Sequence, residues 1–478
     1  MSIKTEMVHG VIWSAIEKYS GLFIQLLITA VLARLLTPTD FGVIAIATVI
    51  TTFFNMFTDM GIGSAIVQNQ TLSGDDLKSL FSFSIFSGLF LAIIFFFFFF
   101  LLASFYDNRL LLPICQLLSL NLLFAAWNMV PNALMRKAKR FKFIAIRSFV
   151  LLIFCGSLSV SVAFAGGGVY SLLITPILSS LALFVINYRQ YPIKFSFKIK
   201  RVSLGKVFSF SVFQFLFSFV NYFSRNLDKL ILGKYYSMSD LGYYEKSYRL
   251  MLLPMNYVTN VVTPVMHPIL TTLQNDFVQL ADKYNKILKL LLVISFPLGT
   301  FLYFSAKDII VIIFGSQWEA AVPVFKILAL SLPLQMILST TGSIYQAANQ
   351  TKWMFYGGLC NTAITVGGFI IAALSFKDIT AMAWAWDITL FINAIDSYVI
   401  LYLLVLKQSL IPLLKSFIYP VLGAICLSLI LCLINNNIHF TYILDGVVNF
   451  VMSILMLGLT LHLSKIYDVK KLIKSKLG

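Results

Sequence analysis

Apolar stretches of about 20 residues recur along the whole chain, and they settle the fold class before any motif is read. A helix of that length crosses a hydrocarbon layer of about 30 Å. Composition agrees: 59% of the 478 residues are hydrophobic and 12% are charged, against roughly 25% charged in soluble proteins. A transmembrane β-barrel would alternate in segments of about ten residues instead. The sequence therefore predicts an all-α polytopic membrane protein. About 14 spans fit, at roughly 8–33, 43–67, 79–105, 111–134, 144–165, 168–188, 207–233, 242–268, 284–306, 322–348, 353–374, 379–404, 411–434 and 443–464.

Charge placement supports that count. With the N-terminus in the cytoplasm, the even-numbered loops and the tail carry about 25 basic residues, and the odd loops about five: Arg34, Arg109, Lys234, Lys307 and Lys377. Two clusters dominate the cytoplasmic side. One runs from Arg136 to Arg147, the other from Arg189 to Lys206. This is the asymmetry of the positive-inside rule. The net charge of +17 is thus read as topology and not as a nucleic-acid surface. Both termini are expected in the cytoplasm, with no cleavable signal peptide before the first span. The five cysteines lie inside apolar runs and form no CxxC pair, and the four histidines are scattered. Neither a disulfide framework nor a zinc site is expected. Six consecutive phenylalanines, Phe95 to Phe100, cover every side of a helix and read as lipid-facing.

The chain contains an internal echo. Arg34-Leu35-Leu36-Thr37-Pro38-Thr39-Asp40-Phe41-Gly42 aligns without a gap on Lys234-Tyr235-Tyr236-Ser237-Met238-Ser239-Asp240-Leu241-Gly242. Each is a base, two large residues, a hydroxyl, a variable residue, a hydroxyl, Asp, an apolar residue and Gly. The Asp suits the start of a helix and the glycine a tight entry. The preceding spans match in phase, with Ser14, Gly21 and Gln25 over Gln214, Asn221 and Arg225. Both copies begin on an odd-numbered span, so the repeat is parallel, a plan that transporters use with a substrate site between the halves. The expected organisation is an N-terminal bundle (1–188), a basic linker (189–206), a second bundle (207–404) and two further spans with a basic tail (405–478).

Polar residues run through the opening spans of each half. Glu17 and Gln25 share a face of the first span, and Asn55 and Asp59 lie four apart in the second. Gln214, Asn221, Arg225 and Asp228 form a file along the seventh, and the eighth carries Glu245 and Arg249. Intramembrane charges are costly and mark interiors, cavities or ion paths. These ten residues are the candidate substrate-binding set, lining a central cavity. The competing reading pairs them structurally, as Arg225 with Asp228. No catalytic grouping, P-loop or HExxH motif occurs, so the chain is expected to be no enzyme. It is expected to need no cofactor beyond a coupling ion, a proton or sodium.

The segments Ala33 to Gly42 and Asp59 to Gln68 resemble the opening of the polysaccharide transporters, the Wzx-type flippases. These belong to the MOP superfamily, which also contains the MATE drug exporters. Asn226 to Lys229, Asp240 to Tyr244, Pro264 to Pro268, and Ile313 to Trp318 with Ala321 to Val324 resemble its colanic-acid-type branch. The likeness extends to about Lys352. It implies fourteen helices in two pseudo-symmetric bundles around a V-shaped cavity. It also implies an inner-membrane flippase that moves an undecaprenyl-diphosphate-linked oligosaccharide to the periplasmic leaflet for O-antigen, capsule or exopolysaccharide synthesis. Its partners would be a polysaccharide polymerase and a chain-length regulator. Two alternatives stand beside it: a MATE-like cation-coupled drug exporter, which would want acids to dominate its cavity, and a non-transporting membrane scaffold.

Overall fold

The structure, a computed structural model, describes residues 3–59, 61–69, 71–197, 199–200, 204–205, 222, 225–274, 276–437 and 442–464. Regular structure among these residues is helical throughout. The first helices are α1 (Ile3–Leu35), α2 (Pro38–Asp59), α3 (Ile62–Gln68), α4 (Gly74–Phe105), α5 (Leu111–Lys137), α6 (Phe141–Phe164) and α7 (Ser171–Gln190). Helix α8 covers 225–235. Then follow α9 (Met238–Thr271), α10 (Phe277–Phe304), α11 (Ala306–Phe314), α12 (Val322–Leu330), α13 (Leu332–Leu338) and α14 (Thr341–Ala347). Last come α15 (Thr351–Ser375), α16 (Ile379–Val399), α17 (Ile411–Asn437) and α18 (Tyr442–Leu463).

Among the described residues, 11 helices are long and apolar enough to cross a membrane, and a bent pair makes a twelfth. The expected 14 differ from these for physical reasons. The seventh span falls mostly outside the described residues. The eighth is α9, 34 residues long, whose Asp240, Glu245, Lys246 and Arg249 dilute its apolar character. The tenth is the bent pair, broken by 48° between Leu330 and Leu332. Pro333, in the first turn of α13, cannot donate to a continuing helical ladder.

Contacts group the chain into two units, Met1–Gly242 and Tyr243–Gly478. In the first unit α5 is central, packed on α2, α3, α4 and α7, while α1 lies along α6. Ile62, Ile66, Leu80 and Val130 are buried in its core. The phenylalanine run is not uniformly lipid-facing. Phe95 and Phe99 are fully buried, and the Phe95 ring lies 4.9 Å from that of Phe54. The other four stay exposed. Four residues is close to one helical turn, so Phe95 and Phe99 share the covered side of α4, where Phe95 and, at its edge, Phe98 meet Phe54 of α2.

The two echoed motifs fold alike. Asp40 Oδ2 accepts from the Thr37 amide (2.9 Å) and hydroxyl (2.8 Å), and the Asp40 amide donates back to Thr37 Oγ1 (3.3 Å). Asp240 Oδ2 accepts from the Ser237 amide (3.3 Å) and hydroxyl (2.6 Å), and the Asp240 amide donates to Ser237 Oγ (3.1 Å). Each hydroxyl and carboxylate thus close a reciprocal cap over the first turn of α2 or α9. Thr37→Ala and Ser237→Ala are each expected to cost about 1 kcal/mol. The two caps should cost the same within about 0.5 kcal/mol in a denaturant titration of the purified chain.

These two helix starts also meet. A Cβ on Gly42 would overlap the Met238 carbonyl oxygen and lie 3.2 Å from the Gly242 amide. A Cβ on Gly242 would overlap the Pro38 carbonyl oxygen and lie 3.3 Å from the Gly42 amide. The glycines therefore serve a reciprocal backbone approach between the copies, a role beyond the tight entry expected from sequence.

In the second unit α10 packs on α12, α13, α17 and α18, and α15 pairs with α16. Tyr284, Leu288, Leu291, Leu401 and Tyr402 form its buried core. At the end of this unit Asp308 of α11 is buried and lies in the field of Asp445 of α18, with Lys307 and Lys326 nearby; Lys307 is paired with Glu319 at 2.6 Å. Burial, reinforced by Asp445, pushes the Asp308 carboxyl up to about 6. A folded value above the unfolded one favours the folded state at low pH. That contribution is full below 3.8 and is lost as pH rises through about 6. Asp308→Asn is expected to flatten the stability of the chain between about pH 4 and 7, measured as thermal unfolding across that range.

Candidate functional site

The break between α2 and α3 shapes a polar cleft in the first unit. Gly61 takes a left-handed conformation, φ 74°, which a residue without a Cβ adopts at little cost. The chain turns there, and α3 comes to lie against α5. Between them is a cleft of about 580 Å³. Asn55 and Thr58 of α2, Ser64 and Gln68 of α3, and Asn128 and Asn132 of α5 supply its hydrogen-bonding side chains. Arg136, exposed in the last turn of α5, stands at one end. Asn55 Oδ1 is buried and has no hydrogen-bond partner among the described residues.

Behind the cleft lies a relay of polar groups. Arg147 of α6 is only 8% exposed and donates from Nη1 to Asn187 Oδ1 of α7. Asn187 Nδ2 in turn donates to Asn128 Oδ1 at 2.8 Å. Glu17 of α1 and Arg136 lie within the electrostatic reach of Arg147. A buried guanidinium inside an apolar helix is stable only where acceptors and countercharge meet it. Here Asn187 of α7 accepts from Nη1 and Glu17 of α1 adds countercharge at longer range, while Arg147 Nε has no hydrogen-bond partner among the described residues.

Arg147 is a correction to the sequence reading, which counted it among the cytoplasmic loop bases. Helix α6 begins at Phe141, three residues before the expected span, so Arg147 lies two turns inside it. The amides of Asn128, Asn132 and Asn187 were also not selected. A scan for intramembrane charge passes over neutral amides, although their cost in hydrocarbon is the same kind of signal.

The ten expected residues are distributed as follows. Asn55 lines the cleft, and half-buried Glu17 lies within the electrostatic reach of Arg147. Gln25 is exposed and donates to Thr29 Oγ1 at 3.4 Å. Gln214, Asn221 and the side chain of Asp59 lie outside the described residues. Asp228 is 1% exposed, while Arg225, three residues before it, is exposed. In the second unit Arg249 Nε donates to Glu245 Oε1; the arginine side chain is 59% exposed and the glutamate 6%. The structure thus places Asn55 in the cleft and Glu17 within the electrostatic reach of Arg147, and joins Glu245 to Arg249. Lys246 beside them is buried.

Comparison with known proteins follows the same outline. The chain is 24% identical over 433 residues to the teichuronic acid biosynthesis protein TuaB of Bacillus subtilis, covering 90% of this chain and 89% of that one. It is 24% identical over 376 residues to the succinoglycan biosynthesis transport protein ExoT of Rhizobium meliloti, covering 78% and 75%. Its fold matches that of the lipid II flippase MurJ in an inward closed conformation, with a TM-score of 0.75 at 17% identity over 95% and 98% of the two chains. The profile of the family described as polysaccharide biosynthesis protein matches residues 31–323. That stretch takes in the capped repeats, the cleft and the Arg147 relay, and the chain belongs to this polysaccharide biosynthesis protein family.

Proposed function

We propose that the chain is an inner-membrane flippase for an undecaprenyl-diphosphate-linked oligosaccharide, carrying it from the cytoplasmic to the periplasmic leaflet. One observation carries the reading. Membrane-spanning helices of the first unit collect a buried guanidinium, its carboxylate countercharge and a set of amides around a cleft of about 580 Å³. Such groups are costly in hydrocarbon and are worth keeping where a polar headgroup must cross. The fold shared with a lipid II flippase and the family membership support the same reading.

Arg136 and Arg249 present exposed guanidinium groups on helices of the two units. Lipid would not solvate either group, so each faces water and each, on its own unit, suits an anionic group such as a diphosphate or an acidic sugar. By the charge asymmetry, the Arg136 end of the cleft and both termini lie in the cytoplasm, where the substrate is loaded. The halves then exchange access to the two sides while the lipid tail stays in the bilayer. The chain performs no covalent step. A polymerase and a chain-length regulator take up the product outside, and an ion gradient drives the cycle. Basic groups at least match the acidic ones along this interior, which favours an anionic cargo over a cationic drug.

The test uses cells lacking the chromosomal copy and complemented with variants. Arg136→Ala and Arg249→Ala are expected to insert normally and to lower surface polysaccharide at least about tenfold, because charge-assisted contacts to the headgroup are lost. Full polysaccharide in both variants would count against the proposal.

A further inference from the structure

Helices α15 and α16 are each long and apolar enough to cross the membrane, and they pack on one another. Between them the second unit holds a groove of about 740 Å³. Ile371, Trp384, Ile388 and Ile392 form its walls and are exposed, so the groove opens to lipid. Gly367 also lines it, and among the described residues nothing lies within 4 Å of the position its Cβ would take. The missing side chain is part of the open space. The groove follows α16 from Thr380 to Ile392, a rise of about 18 Å, against roughly 15 Å for the hydrocarbon of one leaflet. It is therefore as deep as one acyl chain and ends near the bilayer midplane.

The end at Thr380 is charged. Lys377 and Asp378 are adjacent, exposed and opposite in sign. The Thr380 amide donates to Asp378 Oδ1 (3.1 Å) and the Thr380 hydroxyl to Oδ2 (2.6 Å), which holds the carboxylate in place. Each oxygen keeps a second acceptor position. Trp384 lies one turn deeper along α16, at the level where indole rings gather in a bilayer, so the charged pair stands among the headgroups. A headgroup with phosphate alone would meet Lys377 and be repelled by Asp378. One that carries a phosphate and a primary ammonium meets both.

We propose that this groove is a binding site for a zwitterionic phospholipid of the phosphatidylethanolamine class. One acyl chain lies along Gly367, the phosphate sits on Lys377 and the ammonium on Asp378. With the termini in the cytoplasm, as proposed above, this is a lipid of the periplasmic leaflet. It is a resident lipid and not the cargo, whose diphosphate would face Asp378 without an ammonium to offset it.

The experiment is native mass spectrometry of the full-length chain in detergent, titrated with one lipid at a time. The probes are phosphatidylethanolamine, phosphatidylglycerol and phosphatidylcholine with identical acyl chains, and undecaprenyl diphosphate. Binding at the groove is the part that Gly367→Leu removes. Leucine there enters open space and favours a helix over glycine, so this variant is expected to be at least as stable to heat as the wild-type chain. At the groove, the wild-type chain is expected to bind phosphatidylethanolamine about fivefold more tightly than either other phospholipid, the discrimination an exposed ion pair gives. Phosphatidylglycerol has no ammonium, and the quaternary ammonium of phosphatidylcholine cannot donate to Asp378. Asp378→Asn keeps a capping side chain and removes the charge. It should bring phosphatidylethanolamine and phosphatidylglycerol within about twofold of each other. Lys377→Gln should weaken all three phospholipids.

Equal affinity of the wild-type chain for the three phospholipids would overturn the site. So would a preference for phosphatidylethanolamine that survives in Gly367→Leu or in Asp378→Asn. Undecaprenyl diphosphate binding more tightly than phosphatidylethanolamine, and lost in Gly367→Leu, would also overturn it, since the groove would then hold the tail of the cargo. The flippase reading falls on a different result, full polysaccharide in the Arg136→Ala and Arg249→Ala variants.

Discussion

Gly42→Ala is expected to destabilise the chain by about 3 kcal/mol, among the largest effects of any single methyl group in this molecule. The reason is that the added Cβ meets backbone and not a movable side chain. The Met238 carbonyl oxygen occupies its place, and the Gly242 amide lies 3.2 Å away. The start of α2 or the start of α9 must shift, and each is tied down by its own cap. Gly242→Ala should cost a similar amount, since its Cβ would overlap the Pro38 carbonyl oxygen. The double variant should cost less than the sum, because one separation of the two helix starts relieves both clashes. Gly21→Ala is the control. Nothing lies within 4 Å of its Cβ position, and alanine in a helix interior is favoured over glycine by up to about 1 kcal/mol. Denaturant titration of purified chains checks all four. A Gly42→Ala chain as stable as the Gly21→Ala chain would mean that the two helix starts do not touch.

Arg147→Leu is expected to cost about 1–3 kcal/mol, because it leaves the buried Asn187 oxygen without its donor. Asn187 loses the donor to its oxygen, and Glu17 loses the guanidinium in whose field it lies. Adding Glu17→Gln should recover part of the loss, since no uncompensated charge then remains beside the apolar helix. A double-mutant cycle on the two positions should therefore show coupling on the order of 1 kcal/mol or more. Additive effects, with Arg147→Leu costing below about 1 kcal/mol, would mean that water reaches Arg147 and that no buried relay exists.

Much of this organisation was legible in the sequence because it rests on repeated, local signals. Apolar run length specified the membrane helices. Asp40 and Asp240, expected to accept hydrogen bonds at a helix start, do so, and their partners are the amide and hydroxyl of Thr37 and Ser237 three residues before. Gly166-Gly167-Gly168, between α6 and α7, signals a tight turn, and Gly166 and Gly168 adopt positive φ, 85° and 51°.

The rest depends on neighbours that no local pattern names. The burial of Phe95 and Phe99, with Phe95 against Phe54 of α2, requires knowing which side of α4 is covered. The break of the tenth span shows only when Pro333 is placed in the first turn of a new helix. Arg147 was assigned to a loop because the expected boundary at residue 144 left it within one turn of the helix end, where a long base can extend to water. The true helix starts earlier, and Arg147 is buried. The relay through Asn187 to Asn128 joins residues 40 and 59 apart in sequence, beyond any helical periodicity. Conversely, Glu245 and Arg249 were recognisable because a spacing of four places them together on one helix.

The most direct measurement of the central claim is translocation itself. The purified chain is placed in vesicles with a fluorescent undecaprenyl-diphosphate-linked oligosaccharide, and the fraction that reaches the opposite leaflet is read by a membrane-impermeant quencher. The account predicts transfer in vesicles containing the wild-type chain and transfer near the protein-free level with Arg136→Ala. Equal transfer with and without the wild-type chain, under an imposed proton or sodium gradient, would contradict it.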